Sequence, residues 1–313
     1  MTQAPFHADV DEGPAGGRAV WLTASDGVRI RVGYWPCDGA RGTVLLFPGR
    51  TEYIEKYGRA AADFAMRGYA TLAVDWRGQG LADRVAGDPA VGHVGHFSDY
   101  QADAAAVVAA MPGLDLPAPW HLVGHSMGGA IGLRALMEGL PVASAAFTGP
   151  MWGIELPLAL RPVAWALSAA SARLGLGERL SPGTKAESYV LAETFEDNKL
   201  TTDTEMYNYM QRQTRAHPEL GLGGPTMHWL YEALFETRRL SRLPAPDVPG
   251  LTFLGTDEEI VSADRIRARM DGWPGGRLEM LPGGRHEVMM EDPATRTRVF
   301  DMAVAHFDAH GPD

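Results

Sequence analysis

Three residue types, spread along the chain, could together perform nucleophilic acyl transfer. Gly124-His125-Ser126-Met127-Gly128 sets a serine between two glycines at G-x-S-x-G spacing. It follows a short apolar run at 120–123 and precedes a helical pattern at 127–137. A strand that turns sharply into a helix projects the central hydroxyl off the sheet edge, and glycines keep side chains out of the crowded turn. A serine hydroxyl is a poor nucleophile until a base takes its proton. His286, in Gly283-Gly284-Arg285-His286-Glu287 just after an apolar run at 278–281, is the candidate base. His125 belongs to the turn itself, His93 and His96 lack an acidic partner pattern, and His306 and His310 fall in a terminal helix or tail. His286-Glu287 is not H-E-x-x-H and does not suggest zinc.

The imidazole needs a carboxylate to fix its tautomer and stabilise its cation. Asp257, Glu258 and Glu259 stand together after the run 251–254, and the residues alone leave the three open. A developing oxyanion needs two backbone N–H donors. The candidates are Met127, next to the serine, and Arg50, in Phe47-Pro48-Gly49-Arg50 after the run 43–47. The Arg50 side chain has two readings: it binds an anionic group, or it pairs with Glu52 or Glu55.

These residues must be held by a scaffold, and the apolar pattern supplies one. Residues 43–148 read as strand, helix, strand, helix, strand, helix, strand. That alternation predicts an α/β fold with a parallel sheet and helices on both faces. Ser25-Asp26-Gly27 between β-rich runs at 20–23 and 28–34 is a hairpin signal. Ser98-x-x-Gln101 has the spacing of a capping box opening a helix to about residue 111. Asp203 is placed to cap a helix to about 215, and Asp292-Pro293 to open the last one. The alternation breaks at 150 and resumes at 244. The expected organisation is a loose N-terminal tail at 1–17, a core of 18–149 and 244–313, and a helical insertion at 150–243.

Composition removes other classes. Of 313 residues, 28 are basic and 39 acidic, a net charge of −11, which disfavours nucleic acid as a partner. Cys37 is the only cysteine, so neither an intrachain disulfide nor a cysteine zinc site can form. The acidic start lacks the basic and apolar regions of a secretory signal, and the uncharged stretch 116–133 contains Pro117, Pro119 and His121. A cytoplasmic location is the expectation. The oligomeric state is not fixed by the sequence.

The chain resembles the α/β-hydrolase superfamily, in its bacterial lysophospholipase and monoacylglycerol-lipase-like, serine aminopeptidase-type branch. The likeness rests on Phe47-Pro-Gly-Arg-Thr-Glu-Tyr-Ile-Glu-Lys-Tyr57, Asp75-Trp-Arg-Gly-Gln-Gly80, Gly124-His-Ser-Met-Gly128, Gly224-Pro-Thr-Met-His-Trp229 and His286-Glu-Val-Met-Met-Glu291. The resemblance implies an α/β-hydrolase fold with 150–243 as a helical cap, or lid, over the serine. It implies a Ser-His-acid triad cleaving carboxylic esters through an acyl-enzyme, with no cofactor and no metal. A small acyl ester, a lysophospholipid or monoacylglycerol, is the implied substrate.

The family's G-x-x-D-x-x-V pattern falls on Gly255, Glu258 and Val261, which makes Glu258 the triad acid and Asp257 the reserve. Two departures stand out: glutamate replaces aspartate, and Pro48-Gly49 stands where many relatives have His-Gly. Tyr53, Glu55, Tyr57, Asp75 and Arg77 resemble loop-bracing positions. The apolar residues Trp152, Leu156, Leu158, Leu160, Val163, Trp165 and Leu167 would line an acyl site, touch a membrane surface transiently, or pack the cap on the core. The alternative in the same fold is an aminopeptidase or amidase, with Glu193, Glu196 and Asp197 binding a peptide amine. A non-catalytic binding module is the third reading.

Overall fold

The computed structural model describes residues 1–155, 166–167, 170–171 and 174–311. Its strands are β1 (Thr2–Ala4), β2 (Arg18–Thr23), β3 (Arg29–Trp35), β4 (Thr43–Phe47), β5 (Ala70–Asp75), β6 (Trp120–His125), β7 (Ser144–Thr148), β8 (Gly250–Gly255) and β9 (Arg277–Leu281). They form one sheet in the order β1-β2-β3-β5-β4-β6-β7-β8-β9. The first four in that order pair antiparallel, and the rest run parallel.

Every residue of β4, β5, β7 and β8 is buried, as a parallel strand covered on both faces requires. Alternate side chains enter opposite layers. Leu45 and Phe47 join the core with Val107 and Ile131, on the helices Asp99–Ala110 and Met127–Met137. Val44 and Leu46 join the core with Phe64 and Phe300, on the helices Gly58–Met66 and Pro293–Asp308. The parallel register brings Phe47 level with Gly124, His125 with Thr148, and Gly255 with Leu281. The loops after β4, β6, β7, β8 and β9 therefore leave the sheet at one edge.

Local expectations are corrected at three places. Residues 1–17 are not a loose tail: β1 pairs antiparallel with β2, Ala4 is buried, and Phe6 meets the Trp35 ring edge-on at 6.0 Å. Trp35 Nε1–H donates to the Asp11 carboxylate at 3.0 Å. A three-residue edge strand is too short to show a period, so composition alone misread it. Ser98 makes no side-chain cap, because its own backbone is already helical (φ −62°, ψ −21°), and Gln101 instead donates to the Ile131 carbonyl at 3.2 Å. The helical pattern after 54 divides into a 3-10 turn, Ile54–Tyr57, and the helix Gly58–Met66.

Between β7 and β8 the described residues hold the helices Tyr189–Ala192, Thr204–Ala216 and Met227–Leu240. Asp203 and Thr226 cap the last two with their side chains. The helix Thr204–Ala216 is fastened to the amino-terminal segment and to the loop after β4. The Tyr209 hydroxyl lies 2.6 Å from the Asp11 carbonyl and 2.9 Å from that of Glu55. Gln213 Nε2 lies 2.8 Å from Val10 O and 2.9 Å from Glu55 O. Leu156, Leu158, Leu160, Val163 and Trp165 lie outside the described residues. Trp152 is core: it packs on Phe147 and Trp273 and donates to Gly129 O at 3.1 Å. Leu167 is exposed.

Arg31, in β3, is fully buried between two carboxylates. Its Nε donates to Asp75 at 2.7 Å, and Nη1 and Nη2 each donate to Glu55 at 2.8 Å. Asp75 also accepts the Ile54 N–H at 2.8 Å, which fixes where the 3-10 turn begins. Arg77 is braced likewise, by Asp103 and Asp26. Removing the cation of such a cluster strands buried charge. Arg31→Met is expected to cost about 3–5 kcal/mol, read as a lowered urea midpoint. A midpoint equal to wild type would contradict the ion cluster.

Candidate functional site

Ser126 sits between β6 and the helix Met127–Met137 with φ 50° and ψ −118°, a left-handed-side backbone that non-glycine residues rarely adopt. The turn is held by hydrogen bonds: Ser126 N–H donates to Thr148 O at 3.1 Å, and Ser126 O accepts from Gly129 N at 2.9 Å and Met151 N at 2.8 Å. Gly128 is required, because a Cβ there would collide with the Phe47 carbonyl of β4. Gly49, in the loop after β4, lies directly against the serine: a Cβ on it would stand 3.0 Å from Ser126 Cβ. Among the described residues, the N–H groups of Met127 and Arg50 donate to no protein acceptor.

His286 Nδ1–H donates to Glu258 Oε2 at 2.7 Å, with both side chains almost wholly buried. The other Glu258 oxygen accepts the N–H groups of Ile260 (2.7 Å) and Val261 (3.1 Å). Burial pushes the Glu258 carboxyl up, but the His286 imidazole and the two backbone donors outweigh it and hold the pKa below the usual value. Gly149, at φ +47°, makes room for this pair: a Cβ there would stand 3.1 Å from His286 Nδ1 and 3.2 Å from Glu258 Oε2. Asp257 is exposed and accepts from Thr256 Oγ1 at 3.0 Å. Glu259 pairs with Lys199 at 2.8 Å on the surface. Of the three acids, Glu258 is the one the fold brings to His286.

Sequence reasoning missed the group that ties these loops together. The Lys56 ammonium lies 2.5 Å from Glu52 and 2.5 Å from Glu287, all three buried. His125 Nε2 stands 3.4 Å from Glu52 and 3.3 Å from Glu287, while its Nδ1 bonds to Thr148 at 3.0 Å. Glu52 Oε2 accepts from the Tyr57 hydroxyl and from the Gly49 N–H. One cluster therefore grips the residue before Ser126, the residue after His286 and the glycine before Arg50. Glu52 and Lys56 at i, i+4 were a visible pair, but Glu287 lies 231 residues further on, beyond any local signal. Burial alone would raise Glu287 and lower His125. The mutual attraction reverses both, leaving Glu287 well below and His125 above the ordinary value. Glu52, His125 and Glu287 are spaced for a metal ion, but the Lys56 ammonium already binds the two carboxylates. His7, Asp9 and His217 are also spaced for one, and none of them lines the cavity below.

Ser126 and His286 open into one cavity of about 360 Å³, walled by Met151, Ile154, Val190, Leu200, Met210 and Leu230. Most of that wall comes from the insertion. A second depression of about 490 Å³, lined by residues such as Trp152, Leu234, Arg238 and Arg265, contains no histidine and none of the triad or oxyanion candidates. Glu193, Glu196 and Asp197 do not line the cavity; Glu193 pairs with Lys185 at 3.2 Å, and Asp197 accepts from the Thr194 hydroxyl at 3.0 Å. Arg50 does line it, and the expected pairing with Glu52 or Glu55 does not form. Glu52 is taken by Lys56 and Glu55 by Arg31, while Arg50 Nη1 donates to Gly223 O at 3.0 Å.

The depressed Glu287 carboxyl carries a pH signature. Its folded state releases its proton more readily than the unfolded chain, so the stabilisation is present above a pH of roughly 4.3 and is lost as pH falls through the lower folded value. Lys56→Met is expected to remove about 3–5 kcal/mol at neutral pH and to flatten the acid side of the stability curve. Urea titrations at pH 7 and below pH 5 measure both effects.

Comparison with known proteins places the chain. The family model described as serine aminopeptidase, S33, matches residues 38–293. "Lysophospholipase L2" of Escherichia coli K12 is 30% identical over 301 residues, covering 92% of this chain and 87% of that protein. A soluble variant of monoglyceride lipase from Saccharomyces cerevisiae superposes with a TM-score of 0.73 at 20% identity, covering 93% of this chain and 95% of that one. Monoacylglycerol lipase of Paleococcus ferrophilus gives 0.70 at 16%, covering 90% and 99%. The sheet, the strained serine turn and the family match over most of the length agree: the chain belongs to the serine aminopeptidase, S33, family of α/β-hydrolases.

Proposed function

We propose that the protein is a carboxylic ester hydrolase acting on lysolipids through a triad of Ser126, His286 and Glu258. The observation that carries this reading is a strained serine sharing one apolar cavity with a buried, carboxylate-oriented histidine. His286 Nε2 takes the Ser126 proton as Oγ attacks the ester carbonyl. Glu258 holds Nδ1–H and offsets the imidazolium charge without accepting the proton. The Met127 and Arg50 N–H groups hold the oxyanion. The alcohol leaves with the proton from His286, and water then cleaves the acyl-enzyme by the same route.

Residues 150–243 act as the cap that shapes the acyl site, since Met151, Ile154, Val190 and Leu230 wall the cavity. A cavity of this size and apolar lining suits a single acyl chain. Transient contact with a lipid surface runs through the same insertion, where Leu167, Leu174 and Leu176 are exposed. Among the described residues no helix is long and apolar enough to cross a membrane. The position of Glu193, Glu196 and Asp197 outside the cavity wall speaks against a peptide-amine site.

Ser126→Ala is expected to abolish hydrolysis of acyl esters and labelling by a fluorophosphonate probe. Glu258→Gln is expected to lower kcat roughly 10⁴-fold, as loss of the tautomer-fixing carboxylate does elsewhere, with Asp257→Asn near wild type. Full turnover in Ser126→Ala would overturn the mechanism, and equal losses at 257 and 258 would overturn the acid assignment.

A further inference from the structure

Among the described residues lining the cavity, each charged side chain but one has an opposite charge at hand. Glu52 and Glu287 share Lys56, Lys199 meets Glu259 at 2.8 Å, and His286 meets Glu258. The exception is Arg50, which makes no ion pair with any described residue. Its guanidinium gives one N–H to the Gly223 carbonyl and stands 5.5 Å from the Trp229 ring centroid. Among the described residues the other guanidinium nitrogens have no hydrogen-bond partner, and they are not sealed in the core. Burial lowers its pKa to about 10, and the Glu52 carboxylate, which forms no ion pair with it, offsets only part of the desolvation, so the charge persists at neutral pH. A planar fork of free N–H donors in this state fits a phosphate or carboxylate.

The covalent spacing is compatible with a lysolipid phosphate. In the proposed mechanism the Arg50 N–H donates to the oxyanion. From that nitrogen to the guanidinium carbon runs the same number of bonds as from an sn-1 ester carbonyl carbon, through glycerol, to phosphorus. One residue is thus long enough to serve both ends of a lysophospholipid, its backbone at the scissile carbonyl and its side chain at the headgroup, in the cavity that Arg50 shares with Ser126.

We propose that the Arg50 guanidinium binds the phosphodiester of a lysophospholipid, and that the protein selects such esters over neutral monoacylglycerols. This rests on Ser126 being the nucleophile of an ester hydrolase.

The test uses the full chain and three substrates of one acyl length: a lysophosphatidylglycerol, a monoacylglycerol and a p-nitrophenyl ester, each below its micelle concentration. The wild type is expected to favour the phospholipid in kcat/KM. Arg50→Met is expected to lower the phospholipid-to-monoacylglycerol ratio roughly 10–100-fold, the scale of one charged hydrogen-bond set, mostly through KM, with Arg50→Lys restoring part of it. An unchanged ratio overturns the proposal.

A second arm needs no variant. Dodecylphosphocholine is expected to inhibit p-nitrophenyl ester hydrolysis by the wild type far more strongly than a dodecyl glyceryl ether does. Equal inhibition overturns the proposal, and so does inorganic phosphate competing as well as the alkyl phosphodiester, which would mark a general anion site. The two levels separate cleanly. A wild type that neither cleaves the p-nitrophenyl ester nor takes a fluorophosphonate label sinks the hydrolase reading, whereas full cleavage without phosphate preference sinks the Arg50 assignment alone.

Discussion

The site depends on one buried ammonium. Lys56 lies between Glu52 and Glu287, and through them it fixes the loop after β4, the residue preceding Ser126 and the residue following His286. Each carboxylate alone would be costly to bury, and so would the cation. Together they cancel most of the charge and satisfy one another's hydrogen bonds, the condition under which a buried ionic group is tolerated. The arrangement is stiff because no member can leave without stranding the others. Catalytic geometry needs such stiffness, since loops at a sheet edge have few contacts of their own.

Around that cluster the backbone is drawn together more closely than side chains would allow. Gly128 abuts the end of β4, Gly49 lies on Ser126, and Gly149 leaves space beside His286 and Glu258. The ion cluster and the glycines divide the task. The first sets where the loops go, and the second lets them approach until Arg50, Ser126 and His286 share a single cavity.

Much of this was legible from sequence, for identifiable reasons. Ser126 and its flanking elements obey strict local rules, and the helix expected at 127–137 spans Met127–Met137. The buried strands announced themselves as unbroken apolar runs. Glu258 was separable from Asp257 only through the spacing of a family motif, because adjacent acids look alike until the chain turns one inward. The role of Lys56 was not legible, since its meaning comes from Glu287, which tertiary folding alone brings near. The amino-terminal strand escaped notice because three residues carry no periodicity, and the two readings of the Arg50 side chain stayed open because its neighbours' preference for other partners is invisible in a linear string.

The fastening of the helix Thr204–Ala216 has a consequence for the cavity. Its Tyr209 and Gln213 side chains reach backbone carbonyls at Val10, Asp11 and Glu55, so this flank of the insertion is anchored to the sheet domain through the first dozen residues. Moving this helix away from the sheet domain would break all four of those bonds. The amino-terminal segment, which contributes no residue to the cavity around Ser126, thereby steadies one of its walls, since Met210 and Thr214 of the same helix line it.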